Sequence, residues 1–393
     1  MFLEAAAAPC SSFHSLYSMP RIHFLSQNRP GPRMGMGHYE RLLIENLMAQ
    51  SARDEWQFDY TCDGRVSEEA IRADASTHSD FFSVSGLGFA TVRLIDWPWP
   101  IVRAVMNRRF GSRSSNTPDV FHSLALTFPT PGVRPAVYTI HDLAPLRFPD
   151  EGRLPKWSKQ AVRDAQLIVA SSEFGKREVV ELLGVEPNKV EVVPIGWEHE
   201  RFNLNVPVAD AQTLAKLGIN GPFLISAGGS SLRKNLPALL EAWKIIAPRH
   251  PELTLALAGS PKIQAIVENH NAPRAFALGY VDQALLPSVM RAARALVFPS
   301  IYEGFGMPPQ EAMAMGVPVV TSRTCAATLE VVGDTAVLSE DGTPEALAHA
   351  MEQLLGDPDL EARLRVAGPE RAKLFSWPQH ARTVLNLYRG LSK

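Results

Sequence analysis

Two successive series of short β-rich runs, separated by segments of helical periodicity, constrain this chain more than any other feature. The first series reads Arg21 to Ser26, Gln57 to Thr61, Val120 to Ser123, Ala136 to Ile140, Leu167 to Ser171 and Val190 to Pro194, with helical patterns near His38 to Gln50, Leu154 to Ala165 and Glu173 to Leu183. After a polar stretch from Asn203 to Ala211 a second series follows: Pro222 to Ser226, Leu253 to Leu257, Ala275 to Leu278, Ala295 to Phe298 and Val317 to Val320. Its helical segments lie near Pro237 to Ala247, Ala284 to Arg294 and Glu345 to Leu355. Such alternation is the mark of βαβ units, so the expected class is α/β, with two doubly wound parallel-sheet domains facing across a cleft. Ligands in such sheets sit outside the carboxyl ends of the strands. The expected division is a disordered extension over residues 1–18, a first domain over 19–198 and a second over 199–374. A final helix over 375–393 has no strand after it and is expected to brace the first domain.

Composition narrows the possible functions. With 393 residues, 46% hydrophobic and 20% charged, the chain has apolar surface enough for two cores and does not read as disordered. Its 39 basic and 41 acidic side chains give a net charge of −2, which argues against a broad nucleic-acid surface held by counterion release. Cys10, Cys62 and Cys325 form no zinc spacing and fit a reducing, cytoplasmic compartment. No run approaches the roughly 18 to 20 apolar residues that span a bilayer. The first eighteen residues lack the basic start of a signal peptide, and Met19 is an alternative start.

Four places carry candidate chemistry. Pro299 to Val320 reads as a buried strand end, a loop with Gly304 and Gly306, then a helix opened by Pro308 and Pro309. It sets Glu303 and Glu311 eight positions apart, either as two carboxylates facing one cleft or as a solvated loop charge and a complement to the helix dipole. Ser226 to Pro237 runs a strand into Gly228 and Gly229, then delivers Arg233 and Lys234 at a helix start with Asn235 as the expected N-cap. Two adjacent cations at a positive helix end suit a diphosphate, and the alternative is solvated surface. Gly31 to Glu40, with Gly35 and Gly37, opens the first helix either as a phosphate-approaching loop or as a tight turn. Glu40 stands where a dinucleotide fingerprint wants glycine. His141 ends an apolar strand at the cleft rim, and Asp142 is placed to cap the next turn.

The segment Ser-Ile-Tyr-Glu-Gly-Phe-Gly-Met-Pro-Pro-Gln-Glu-Ala-Met-Ala-Met-Gly-Val-Pro-Val-Val, without gaps, resembles the signature of the family 4 retaining glycosyltransferases of the GT-B fold, two Rossmann-like domains facing across a cleft. The likeness extends from about Pro20 onward. It implies transfer of a sugar (mannose, rhamnose or glucose) from a nucleotide diphosphate sugar to a saccharide or polyprenyl-diphosphate-linked acceptor in cell-surface polysaccharide or lipopolysaccharide synthesis. By resemblance, Glu303 and the backbone of Gly304, Phe305 and Gly306 meet the donor sugar, Glu311 holds the ribose, and Arg233 and Lys234 hold the diphosphate beside Gly228 and Gly229. His141 hydrogen-bonds the sugar, Gly35 and Gly37 approach the phosphates, and the base is expected near Tyr280 and Val281. The chain departs from the family pattern at Ile195 to His199, where an Asn-Gly turn is common, and at Ala326 to Glu330, where a serine-rich version is common. Other readings of the fold are a sugar-nucleotide epimerase, a phosphorylase or a non-catalytic nucleotide-sugar-binding subunit.

No P-loop, zinc helix or nucleophile elbow is found, and the one Asp-x-Asp, Asp357-Pro358-Asp359, reads as a turn. The expectation is therefore no metal and no cofactor beyond the sugar nucleotide. Between Arg93 and Arg113 five arginines interleave with Trp97, Trp99, Ile101, Val102, Val105, Met106 and Phe110. This reads either as a peripheral contact with the inner membrane surface or as a core helix with a basic outer face.

Overall fold

The structure, a computed structural model, describes residues 20–26, 36–51, 56–62, 82–86, 96–110 and 118–391. The extension expected over residues 1–18, Met19 and Gly35 lie outside them. The first unit runs β1 (Arg21–Ser26), α1 (Met36–Gln50), β2 (Gln57–Cys62), β3 (Phe82–Gly86), α2 (Trp99–Phe110), β4 (Val120–Ser123), β5 (Ala136–Ile140), α3 (Ala144–Arg147), α4 (Ser158–Asp164), β6 (Leu167–Ala170), α5 (Glu173–Leu183) and β7 (Val190–Val192). The second runs α6 (Ala211–Lys216), β8 (Phe223–Gly228), α7 (Leu236–Ile246), β9 (Thr254–Gly259), α8 (Ile263–His270), β10 (Ala275–Gly279), α9 (Leu286–Ala292) and β11 (Ala295–Phe298). It continues through α10 (Met307–Ala314), β12 (Val319–Ser322), α11 (Ala326–Val332), β13 (Val337–Ser339), α12 (Pro344–Gly356) and α13 (Pro358–Ala372), and the described chain closes on α14 (Trp377–Leu391).

The strands form two parallel sheets, ordered β3-β2-β1-β4-β5-β6-β7 and β10-β9-β8-β11-β12-β13. Strands such as β6 and β11 are buried at every position, as a parallel sheet with helices on both faces requires. Two strands were not expected, β3 and β13. Both lie at a sheet edge, where a short strand need not be apolar throughout, so Phe-Ser-Val-Ser-Gly and Val-Leu-Ser give weak patterns. Helix starts follow local chemistry: Ser172, Asp210, Thr343 and Asp357 each accept from a backbone N–H three residues on. The turn at Asp357-Pro358-Asp359 is thus the N-cap of α13.

What positions the site is the strand order. The chain steps outward from β1 to β2 and β3, then returns to lay β4 on the other side of β1. It does the same around β8, with β9 and β10 on one side and β11 on the other. Crossovers leave in opposite directions at β8/β11, which opens a crevice at their carboxyl ends. The loop carrying Arg233 and Lys234 and the loop carrying Glu303 both emerge there.

Helix α14 packs on α1 with Trp377, His380, Ala381, Val384, Leu385 and Tyr388 buried. Two of its polar groups inside that face are paired: Tyr39 and His380 share a hydrogen bond of 3.1 Å, and His122 and Tyr388 one of 2.5 Å. Helix α2 buries much of the aromatic and basic segment's apolar side. Trp99 stacks on Trp157 at 6.0 Å and donates to Asp164 at 2.8 Å, and Val102 and Met106 are fully buried. Trp97 and Ile101 are exposed, and Arg93 and Arg113 lie outside the described residues. Among the described residues, no helix is long and apolar enough to cross a membrane.

Candidate active site

Glu303 stands in the loop after β11 with 7% of its surface exposed. Arg233 Nη1 donates to its Oε2 at 2.6 Å and Lys234 Nζ to its Oε1 at 2.6 Å. Burial pushes the Glu303 carboxyl up, but Lys234 and Arg233 more than offset it and hold the group below the ordinary carboxylate range. Arg233 and Lys234 sit in a single 3-10 turn, Leu232–Lys234, between the glycines at the end of β8 and the start of α7. Gly228, Gly229, Lys234, Phe298 and Ser300 line one small pocket at this switch point. Asn235 occupies the N-cap position of α7 but does not cap it. Its backbone is left-handed (φ 54) and its side chain donates instead to Gly342 O at 2.8 Å, tying the cation turn to the loop before α12.

The first unit reaches the same cations. Glu151 Oε1 accepts from Arg233 Nε at 2.5 Å, Asp150 Oδ2 accepts from Leu232 N at 2.7 Å, and Asp142 lies 3.8 Å from Arg233 Nη2. Burial raises the Asp142 pKa, with Arg233 opposing it, and Asp142 also caps its turn by accepting from Ala144 N at 3.1 Å. Burial opposes the Arg233 charge, but Glu303, Asp142 and Glu151 outweigh it and keep the guanidinium firmly protonated. Asp150 and Glu151 were not singled out in the sequence. Nothing local marks them, since their partners lie 82 residues away.

His141 is brought to the opposite wall. Among the described residues its Nε2 is buried without a hydrogen-bond partner, and Tyr39 lies edge-on to its ring at 4.4 Å. Burial, reinforced by His380, lowers its pKa to about 4, so the imidazole is neutral at physiological pH. Gly304 is why the walls approach so closely: a Cβ there would lie 1.7 Å from His141 O. Beside it, Tyr302 accepts from Leu143 N at 3.0 Å and donates to Glu178 at 3.2 Å, so the loop's aromatic residue is seated in the first unit.

Other expected residues lie apart from this cluster. Glu311, in α10, belongs to a group with Arg201 and Glu198. Burial pushes its pKa up to about 8, with Arg201 opposing and Glu198 adding to the rise. Glu198 is itself tied to Arg201 at 2.8 Å, to Arg41 at 3.4 Å and closely to His38. Gly37 is buried within α1 rather than in the loop before it. Tyr280 is 59% exposed while Val281 is buried, and the Phe305 ring packs edge-on against Phe375 at 5.7 Å, leaving only its backbone for a ligand.

Residues 44–201 match Glycosyltransferase Family 4 and residues 212–371 match Glycosyl transferases group 1. The D-inositol 3-phosphate glycosyltransferase of Frankia alni is 30% identical over 281 residues, covering 65% of this chain and 68% of that protein. The chain belongs to the group 1 glycosyl transferases. It is an enzyme of glycosyl transfer with the two-domain GT-B architecture. O-antigen chain mannosyltransferase B of Escherichia coli is 28% identical over 273 residues, 65% of this chain and 70% of that one. Among solved structures, sucrose-phosphate synthase from Thermosynechococcus elongatus aligns with TM-score 0.73 at 22% identity over 95% of this chain and 99% of that one. Anabaena HepE in complex with UDP and glucose aligns with TM-score 0.67 at 19% identity over 95% and 100%. At these identities the structural likeness speaks to the fold alone. The group 1 half of the glycosyltransferase carries the cation turn, Glu303 and Glu311. The other half supplies His141 and the acids that meet Arg233.

Proposed function

We propose that this glycosyltransferase moves a hexosyl group from a nucleotide diphosphate sugar to a hydroxyl of a saccharide or polyprenyl-diphosphate-linked saccharide, with retention at the anomeric carbon. The observation that carries the reading is the meeting of Arg233, Lys234 and Glu303 at the β8/β11 switch point, opposite the unpartnered Nε2 of His141. Cleavage of a sugar–phosphate bond builds negative charge on the leaving diphosphate, and two fixed cations stabilise that charge where it develops. In the reaction the bond from C1 to the phosphate oxygen breaks and the bond from the acceptor oxygen to C1 forms on the same face. The acceptor's proton passes to the departing phosphate. Arg233 and Lys234 hold the diphosphate beside Gly228 and Gly229, and Glu303, Gly304, Phe305 and Gly306 hold the sugar through the carboxylate and the backbone. Glu311 holds the ribose, the base lies near Tyr280 and Val281, and His141 donates to or accepts from a sugar hydroxyl as a neutral imidazole.

The cations supply the charge that a metal would otherwise bring, so turnover is expected to be indifferent to a chelator. Similarity to an O-antigen mannosyltransferase supports a mannosyl donor and a role in surface polysaccharide synthesis at the cytoplasmic face of the membrane. A peripheral membrane contact falls to the outward side of the start of α2, where Ile101 and, just before the helix, Trp97 are exposed. Liposome flotation tests it: replacing Trp97 and Ile101 by Ser abolishes binding to anionic vesicles, and unchanged flotation removes that surface. For the reaction itself, a panel of nucleotide sugars incubated with the enzyme identifies the donor. Consumption of none, with or without saccharide acceptors, refutes transfer.

A further inference from the structure

The stretch Ala326 to Glu330, where the chain departs from the family pattern, has no part in the mechanism above, yet it reaches across the cleft. Glu330 projects from α11 of the second unit to the start of α5 in the first. Its Oε2 accepts from Glu173 N and its Oε1 from Phe174 N, each at 2.7 Å. Helix α5 already has its own cap, since Ser172 Oγ accepts from Gly175 N at 3.0 Å. That cap leaves the two preceding amides without an intrahelical partner, and Glu330 takes both. A carboxylate at the positive end of a helix gains from charge as well as from hydrogen bonding.

Both ends of this contact also hold the donor-side loop. Ser172 Oγ donates to Gly304 O at 2.9 Å. On the other side α11 lies against Gly306, where φ is 125 and a Cβ would stand 3.0 Å from Thr328 Oγ1. Helix α11 is anchored within its own unit, because Arg371 donates to Glu330 O at 2.6 Å and Val331 O at 2.9 Å. The segment from Tyr302 to Gly306 is therefore gripped between α11 and the start of α5, and Glu330 spans the two jaws. Glu173 is exposed and Phe174 half-buried, so water can replace the carboxylate at these two amides when the jaws part.

We infer that Glu330 is a positioning residue for glycosyl transfer: by capping α5 across the cleft it fixes the closed arrangement in which the Tyr302–Gly306 loop meets His141. The inference rests on the transfer reading of that cleft. It acts on turnover and leaves nucleotide binding to the second unit.

Hydrogen–deuterium exchange on the full chain tests it, comparing wild type with Glu330→Ala and with Glu370→Ala, an exposed control beside Lys373. In Glu330→Ala the amides of Glu173 and Phe174 and those from Tyr302 to Gly306 are expected to exchange about tenfold faster, with the two sheets unchanged. On a nucleotide sugar that wild type consumes, kcat falls about tenfold while inhibition by UDP or GDP stays within about twofold of wild type. Glu330→Gln lies between, because its amide oxygen replaces only one of the two acceptors. Faster exchange in α5 alone with unchanged kcat makes Glu330 a helix cap only and overturns the inference. Faster exchange through both sheets, or nucleotide affinity falling together with kcat, overturns it as well. Wild type that consumes no nucleotide sugar refutes the transfer reading, and the exchange result then decides the clasp by itself.

Discussion

Glu303 and Glu311 stand eight positions apart in one motif, yet the fold gives them opposite electrical surroundings. Glu303 is buried between two cations, which hold it ionised. Glu311 is half-buried, and desolvation, with Glu198 adding to it and Arg201 opposing, raises its pKa to about 8. Residue type and spacing make the two alike, and the partners drawn from distant parts of the chain separate them. The first is a fixed anion that aligns the two cations of the proposed diphosphate site. The second is a carboxyl poised to change charge within the working pH range.

Removing the cations breaks this contrast most severely. Replacing Arg233 or Lys234 by Ala is expected to lower turnover about a thousandfold, because on the proposed mechanism each stabilises charge present mainly in the transition state, and its loss also leaves Glu303 less well paired. Steady-state kinetics on the identified donor check this, and near-normal turnover takes these residues out of the phosphate site.

Exchanging the glutamates sharpens the contrast. Glu303→Gln is expected to cost about a hundredfold in kcat, whereas Glu311→Gln costs about tenfold and mainly in the donor KM, as its proposed contact with the ribose rather than the reacting centre requires. Equal effects on kcat contradict the division.

The smallest effect is in pH dependence. Glu311 is protonated below about pH 8 and ionised above it. A carboxylate accepts hydroxyl hydrogens better than its acid does, so with the proposed ribose contact the donor KM is expected to fall as pH rises through about 8, and Glu311→Gln to flatten that limb. The stability sign is opposite. Between its ordinary value of 4.5 and about 8 the folded state binds the proton and the unfolded state does not, so Glu311 destabilises progressively as pH rises. Glu311→Gln should therefore melt higher than wild type at pH 9 and no higher at pH 5. Differential scanning calorimetry at the two values decides it.

Much of the fold was legible because parallel sheets with both faces covered write themselves as apolar runs, which is why β6 and β11 were found to within a residue. The edge strands β3 and β13 were missed because an edge relaxes that demand. The segment around α2 kept two readings in the sequence, and packing of Trp99 on Trp157 shows that its inner face is core. The candidate cluster was legible where a short stretch of chain carries its members, as with Glu303 or the Arg233–Lys234 pair, which the structure brings together; Glu311 falls in a separate group with Arg201 and Glu198. The site was not legible where it depends on closure. Asp150, Glu151 and Glu330 gain their meaning from partners 82 to 157 residues away, and no local pattern announces such a pairing. Asn235 shows the same limit on a smaller scale, since the preferred cap residue is present but its side chain is drawn to Gly342.

The most direct test follows the anomeric centre. Proton NMR of the reaction between the identified nucleotide sugar and its acceptor is predicted to show a product with the donor's anomeric configuration, formed by wild type and not by Lys234→Ala. A product of inverted configuration, or equal product from the Lys234 variant, would contradict retaining transfer at the Arg233–Glu303–Lys234 site.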